Sequence, residues 1–255
     1  MIPRCAGVCV RGPSHVKRRM PCQDDFTWRR LSEGGVVLAV ADGAGSARRA
    51  EWGARAAVRL AVQGAQGRWT AEGREGLTQA TQAGMRLARV GLEQLAEKLQ
   101  IPLRDLACTL MVTVWRLGEV AVAHVGDGAV VGWSVDGTSG YSWRLVSAPE
   151  NAEYVNETRF VTDADWPIGV QLSTGEGLAG VVVFTDGCQR AALRREENSL
   201  TPFPGFLTPL ARYAAQAGER QQVVADLRKL LNSEKLRETS DDDKTLVLLW
   251  DGGED

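Results

Sequence analysis

The sequence predicts an α+β fold, a layered β-sandwich flanked by helix pairs. Apolar runs rich in β-branched residues come in clusters, and helical periodicities come in pairs. The link Leu117-Gly118-Glu119 is too short for a crossover, so the strands it joins are antiparallel. A doubly wound parallel sheet needs a crossover of a dozen or more residues between its strands and is disfavoured.

Taken in order, residues 36–41 (Val-Val-Leu-Ala-Val-Ala) read as a buried strand. Residues 47–66 read as a helix, with Ala54, Ala57, Val58, Ala61, Val62 and Ala65 at helical spacing. Residues 71–99 read as a second helix, and Pro102 marks its end. Strands follow at about 107–117, 119–125, 129–135 and 143–147. Residues 148–180 are turn-rich, 181–185 read as a strand, and 188–210 read as an irregular, charged, Pro-rich surface insertion. Residues 219–231 form an amphipathic helix, with Val223, Val224, Leu227, Leu230 and Leu231 on its apolar side, and 245–250 a final strand. With no internal repeat and no low-complexity linker, one domain over residues 1–255 is the simplest account.

Composition narrows the function classes. The 44% hydrophobic and 24% charged fractions are those of an ordinary globular protein, and a net charge of -2 gives no argument for nucleic acid or an anionic membrane. No apolar run approaches the ~18–20 residues that span a bilayer. The N-terminal Met1-Ile2-Pro3-Arg4-Cys5 lacks a signal-peptide core, so a cytoplasmic location is expected. Five cysteines, an odd number without Cys-x-x-Cys, argue against a disulfide framework and a structural zinc site.

The chemistry concentrates in aspartates at the edges of apolar runs. Asp42 ends 36–41, Asp127 follows 120–126, Asp186 follows 181–185, and Asp242 precedes 245–250. Carboxylates gathered beside a dry core repel one another unless a cation lies among them. Asp-Gly is also a favoured hairpin turn, and Asp127-Gly128, between two apolar runs, reads equally well that way. Asp42-Gly43 and Asp186-Gly187 have no return strand available. Oxygen donors without a histidine cluster favour Mg²⁺ or Mn²⁺ over zinc, and His15 and His124 are too few for a zinc hydrolase centre. Arg19-Met20-Pro21-Cys22-Gln23-Asp24-Asp25 follows the cationic Lys17-Arg18, and an arginine beside such a site is a natural phosphate clamp. Cys188 and Arg194 have the Cys-x5-Arg spacing of cysteine phosphatases, but so do Cys5 and Arg11, and neither segment has the Gly-rich phosphate cradle. A Gly-x-Ser-x-Gly elbow and a Walker loop are absent.

The ordered set Arg19…Gln23-Asp24, Asp42-Gly43-Ala44-Gly45, Cys108-Thr109-Leu110, Val125-Gly126-Asp127-Gly128, Phe184-Thr185-Asp186-Gly187 and Asp242-Asp243-Lys244-Thr245 resembles the metal-dependent protein phosphatase family. The likeness is to the protein phosphatase 2C type, in its small bacterial branch, and covers nearly the whole chain. It implies a β-sandwich flanked by helix pairs and two Mn²⁺ or Mg²⁺ ions, with a third position available. In that pattern Asp42 bridges two ions, the Gly43 carbonyl binds one, and Asp186 and Asp242 complete the other's set. Asp24 and Asp127 take outer or third-ion positions, Arg19 holds phosphate, and residues 188 to about 217 form a substrate-facing flap. Three departures stand out: Gln23 replaces a common glutamate, Gly128-Ala129 a common Ser-Arg, and Asp243 a common asparagine. Arg18 or Lys17 can serve in place of Arg19.

The resemblance implies a phosphoric monoester hydrolase acting on phosphoserine and phosphothreonine in proteins, by attack of a water held between two ions. Asp42 and Arg19 are its expected catalytic residues. The expected partners are a phosphoprotein substrate and a cognate serine/threonine kinase, with no nucleic acid and no membrane, and the chain is expected to be monomeric. The alternative, motivated by Gln23 and the missing Ser-Arg, is a phosphatase-fold module that binds a phosphoprotein or signalling partner without turning it over.

Overall fold

The apolar runs are unbroken because most strands are covered on both faces, by a second sheet on one side and by helices on the other. The computed structural model describes residues 2–137, 140–150, 158–196, 199–216 and 220–252. One sheet has the order β2 (Asp25–Arg30), β3 (Val36–Ala41), β4 (Leu110–Arg116), β5 (Glu119–Val125), β8 (Gln171–Gly175). The other has the order β1 (Pro3–Val10), β12 (Lys244–Asp251), β9 (Gly180–Phe184), β6 (Ala129–Asp136), β7 (Gly140–Ser147). Every pairing in both sheets is antiparallel.

Alternation along each strand sorts the side chains into three layers. Val36, Leu38 and Val40 of β3 pack in the middle layer with Met111, Trp115, Val181, Val183, Val247 and Leu249. Their neighbours Val37, Ala39 and Ala41 face the antiparallel pair α2 (Ala50–Arg68) and α3 (Gly73–Leu99). On the far side Val182, Phe184, Leu246 and Leu248 meet α5 (Pro204–Gln216) and α6 (Arg220–Leu231). The expected layered α+β sandwich is therefore present, with helices on both outer faces.

Four differences from the sequence reading have physical causes. β1 and β2 went unrecognised: β1 mixes Cys5, Gly7 and Cys9 among its apolar residues, and β2 is a charged edge strand. β8, also an edge strand, hides in the turn-rich stretch, of which residues 151–157 lie outside the described residues. The segment 188–210 forms, over its described residues, regular elements rather than an irregular insertion. It contains the short helix α4 (Gln189–Ala192), a hairpin of β10 (Leu193–Glu196) with β11 (Ser199–Pro202), and the start of α5. Pro204 opens α5 where a missing N–H costs nothing, and Leu207, Leu210, Ala211 and Ala214 form its buried face. Within the expected flap, Ala192 and Leu193 join α5 in the outer core layer, the arginines and Glu196 of the hairpin segment are exposed, and 197–198 and 217 lie outside the described residues. Finally, Asp127-Gly128 is not a hairpin turn. β5 pairs with β4 and β8, β6 with β7 and β9, so the dipeptide is the crossing from one sheet to the other.

Candidate metal centre

The register of the two sheets brings the strand-edge aspartates to one end of the sandwich. Asp25 pairs with Ala41, which sets Asp24 beside Asp42. Leu110 pairs with Val125, which sets Thr109 beside the Gly126-Asp127 crossing. In the other sheet Leu246 pairs with Phe184, so Asp186 and the 241–243 acidic run flank each other. A cleft of about 190 Å³ opens at this end, lined by Gln23, Asp42, Gly43, Thr109, Asp127, Asp186 and Asp242, with His15 and Arg18 at its side.

Backbone contacts fix these groups closely. The Asp42 amide donates to Thr109 Oγ1 at 3.0 Å, and the Thr109 amide donates to the Asp42 carbonyl at 2.8 Å. The Gly43 amide donates to the Gln23 carbonyl at 3.1 Å, and a Cβ on Gly43 would lie 2.8 Å from that same oxygen. A Cβ on Gly187 would lie 1.9 Å from the Asp243 carbonyl oxygen, so only glycine fits after Asp186. Asp24 does not line the cleft. It is buried behind Asp42, and its Oδ2 accepts from Thr185 Oγ1 at 2.8 Å and Thr245 Oγ1 at 2.7 Å, joining the two sheets. Asp127 Oδ2 accepts from Thr158 Oγ1 at 2.8 Å.

The electrostatics call for a cation. Burial, together with Asp24, Asp186, Asp127 and Asp242, pushes the Asp42 carboxyl well above the usual carboxylate range. Burial and the neighbouring Asp127 and Asp242 raise Asp186 to about 6. Burial raises Asp24 to about 8, with Asp243 and Asp186 adding and the two threonines opposing. Asp24 Oδ1, Asp186 Oδ1 and Gln23 Oε1 are buried without a hydrogen-bond partner. Orphaned oxygens within a set of all-oxygen donors fit a hard divalent ion such as Mg²⁺ or Mn²⁺.

His15, Asp242 and Asp243 also bring ligand atoms within 4.8 Å of one another. Asp243, however, is already engaged. Its Oδ1 accepts from the Gly12 amide at 2.6 Å, and its Oδ2 accepts from the Gln23 amide at 2.6 Å and from His15 Nδ1 at 2.8 Å. Three donors use both oxygens, so Asp243 is an anchor that ties the N-terminal segment to the Asp242 loop. Lys244 secures the same loop, its buried ammonium donating to the Ser240 and Asp242 carbonyls at 2.6 and 2.9 Å. The sequence marked Asp243 only as a departure from asparagine and gave His15 no role, because the pair is 228 residues apart.

The two neighbouring arginines stand differently with respect to the cleft. Arg19 is the left-handed cap of α1 (Pro13–Arg18), exposed, and is not among the residues lining the cleft, whereas Arg18 is. Arg18 is exposed as well, at the cleft's rim, and its guanidinium donates back to the Ser14 carbonyl and Oγ at 3.4 and 3.3 Å. The Cys-x5-Arg alternative has no support: Cys188 is fully buried, and desolvation pushes its thiol far above the normal range.

A two-sheet sandwich with helices on both outer faces and an acidic cleft at one end matches the architecture expected of a metal-dependent phosphatase. The sequence profile of the family described as Protein phosphatase 2C matches residues 11–232. Serine/threonine-protein phosphatase 3 of Escherichia coli (strain K12) is 35% identical over 252 residues, covering 94% of this chain and 95% of that one. A bacterial serine phosphatase superposes with a TM-score of 0.66 at 13% identity, covering 99% of both chains. The catalytic domain of the serine/threonine protein phosphatase PstP, solved in complex with 2 manganese ions, superposes with a TM-score of 0.64 at 18% identity, covering 99% of both. The chain belongs to the protein phosphatase 2C family.

Proposed function

We propose that this chain is a metal-dependent serine/threonine protein phosphatase that hydrolyses phosphoserine and phosphothreonine in proteins. The observation that carries this reading is the convergence of Asp42, Asp127, Asp186 and Asp242 on one cleft, where burial first and the neighbouring carboxylates second push Asp42 well above its normal range. Asp42, Asp186 and Asp242, with the Gly43 carbonyl, are the residues that hold the ions, and Asp24 and Asp127 take outer positions. Two Mn²⁺ or Mg²⁺ ions suit this donor set, as in the PstP domain with its 2 manganese ions. When bound, such ions lower the pKa of water and neutralise charge on phosphoryl oxygens.

The protein's own groups do the rest. Arg18 receives the phosphoryl oxygens in place of the expected Arg19, a guanidinium being suited to a tetrahedral oxyanion. Thr158 orients the Asp127 carboxylate, Thr185 and Thr245 orient that of Asp24, and Thr109 holds the Asp42 backbone, so these groups keep their places as charge develops. Oxygen from water bonds to phosphorus, the ester P–O bond breaks, and a serine or threonine hydroxyl leaves with inorganic phosphate. A protein kinase acting on serine or threonine must supply the substrate. Among the described residues no helix is long and apolar enough to cross a membrane. The protein is taken to act as a monomer comprising one catalytic domain, with residues 188 to about 217 as the substrate-facing flap.

The test is release of inorganic phosphate from a phosphothreonine peptide with Mn²⁺ and with EDTA. Activity appears only with the metal and is lost in Asp42→Ala. Turnover that persists in EDTA, or in that variant, refutes the reading.

A further inference from the structure

Beside the metal cleft lies a second hollow of about 350 Å³. Asp127 and Asp186 form its inner wall, so it opens directly from the cleft they also line. Leu193 and Leu200 of the hairpin contribute apolar surface, and Arg190 and Arg195 also line the hollow.

The three arginines of this segment are used differently. Arg194 is consumed by the fold: its guanidinium stacks 3.7 Å over the Phe203 ring and donates to the Arg190 and Leu193 carbonyls at 2.7 and 3.1 Å. Arg190 and Arg195 are exposed, and among the described residues neither meets a carboxylate at ion-pair distance. The hollow is thus lined by both carboxylates and arginines. Its carboxylates are shared with the cleft where the proposed function would place the ions. Its arginines offer two forks of N–H donors, a pattern that recognises carboxylate or phosphate oxygens.

We propose that this hollow is a specificity subsite for an anionic side chain flanking the phosphorylated residue of the substrate, held by Arg190 and Arg195. The anion is a carboxylate or a second phosphoryl group. The subsite rests on the phosphatase reading of the adjoining cleft, and the inference names the class of substrate that cleft takes. Leu193 and Leu200 receive the methylene part of the flanking side chain, and a basic flanking residue is repelled.

The probes are synthetic phosphothreonine peptides of one sequence, flanked by glutamate, alanine, arginine or a second phosphothreonine, assayed with Mn²⁺. The readout is the ratio of kcat/KM for each peptide to that of the alanine-flanked one, in which any loss common to all peptides cancels. Two exposed charge-assisted pairs give the parent protein a preference of roughly five- to tenfold for the glutamate peptide, seen in KM and fading at high salt. The ratio falls toward one in Arg190→Ala/Arg195→Ala and inverts toward the arginine peptide in Arg190→Glu/Arg195→Glu. Preference for the doubly phosphorylated peptide over the glutamate one identifies phosphate as the anion read, and the reverse identifies carboxylate.

Fluorescence anisotropy of the same labelled peptides separates the two layers of the argument. Anion-selective binding without turnover overturns the phosphatase reading and leaves the subsite standing. Turnover with no anionic preference, or with a preference unchanged in both double variants, overturns the subsite.

Discussion

Replacing Asp243 by asparagine should destabilise this protein. The carboxylate accepts three hydrogen bonds, from the Gly12 amide, the Gln23 amide and His15 Nδ1. An asparagine offers one oxygen. If its NH₂ takes the Oδ1 place, it faces the Gly12 N–H, a donor against a donor at 2.6 Å. If the amide is flipped, the NH₂ faces the Gln23 N–H at the same separation. Either way a buried backbone donor is orphaned, which costs about 1–3 kcal/mol. The charge-assisted bond to His15 weakens as well, and breaking such a buried pair costs about 3–5 kcal/mol in all. For a chain of this size each kcal/mol is worth about 2–4 °C in Tm, so Asp243→Asn should lower Tm by roughly 10 °C. Differential scanning fluorimetry in EDTA reads this without interference from bound metal. His15→Ala should cost less after Asp243→Asn than in the parent, since the two share one interaction. A Tm for Asp243→Asn within about 2 °C of the parent, or above it, refutes the reasoning.

Three other outcomes follow from the same geometry. Arg18→Ala should lower kcat/KM on a phosphopeptide by about 10–100-fold, the worth of charged hydrogen bonds to a phosphoryl group, while Arg19→Ala stays within about twofold; the reverse order would return the phosphate role to Arg19. Gly187→Ala forces a Cβ to 1.9 Å from the Asp243 carbonyl, so it should weaken Mn²⁺ binding at least tenfold by calorimetry, and unaltered binding would mean the turn relaxes freely. In the metal-free protein Asp24 and Asp186 have folded-state pKa values raised to about 8 and about 6 from 3.8. The folded state therefore holds more protons than the unfolded one between about pH 4 and 8, and stability declines with rising pH across that window. Apo Tm should fall from pH 5 to pH 8 and recover with Mn²⁺, and a flat or rising apo profile would contradict the cluster's mutual repulsion.

The parts of the fold legible in the sequence were those whose burial leaves a local signature. β3, β5 and β9 lie between a sheet and helices, so both faces are apolar and the run is continuous. α2 and α3 repeat small and apolar residues at helical spacing against the same sheet. Edge strands β2 and β8 carry polar residues on an uncovered side and gave no such signal, while Pro202, Pro204 and Pro209 disguised α5 as a loop. The aspartates were legible because each sits at a strand end, and antiparallel pairing collects those ends at one edge. What local pattern cannot give is long-range pairing: the His15–Asp243 anchor spans 228 residues, and the tie from Asp24 to Thr185 and Thr245 spans 161 and 221. Arg18 and Arg19 are separated only by where a six-residue helix ends.

The central claim is that the Asp42, Asp186 and Asp242 cluster binds divalent ions and that this binding creates the phosphatase activity. The direct measurement is a calorimetric Mn²⁺ titration run beside phosphopeptide turnover at the same metal concentrations. The account predicts that rate and binding rise along one curve and that both are lost in Asp42→Ala. Metal binding without turnover would favour the non-catalytic module, and turnover without metal binding would contradict the account altogether.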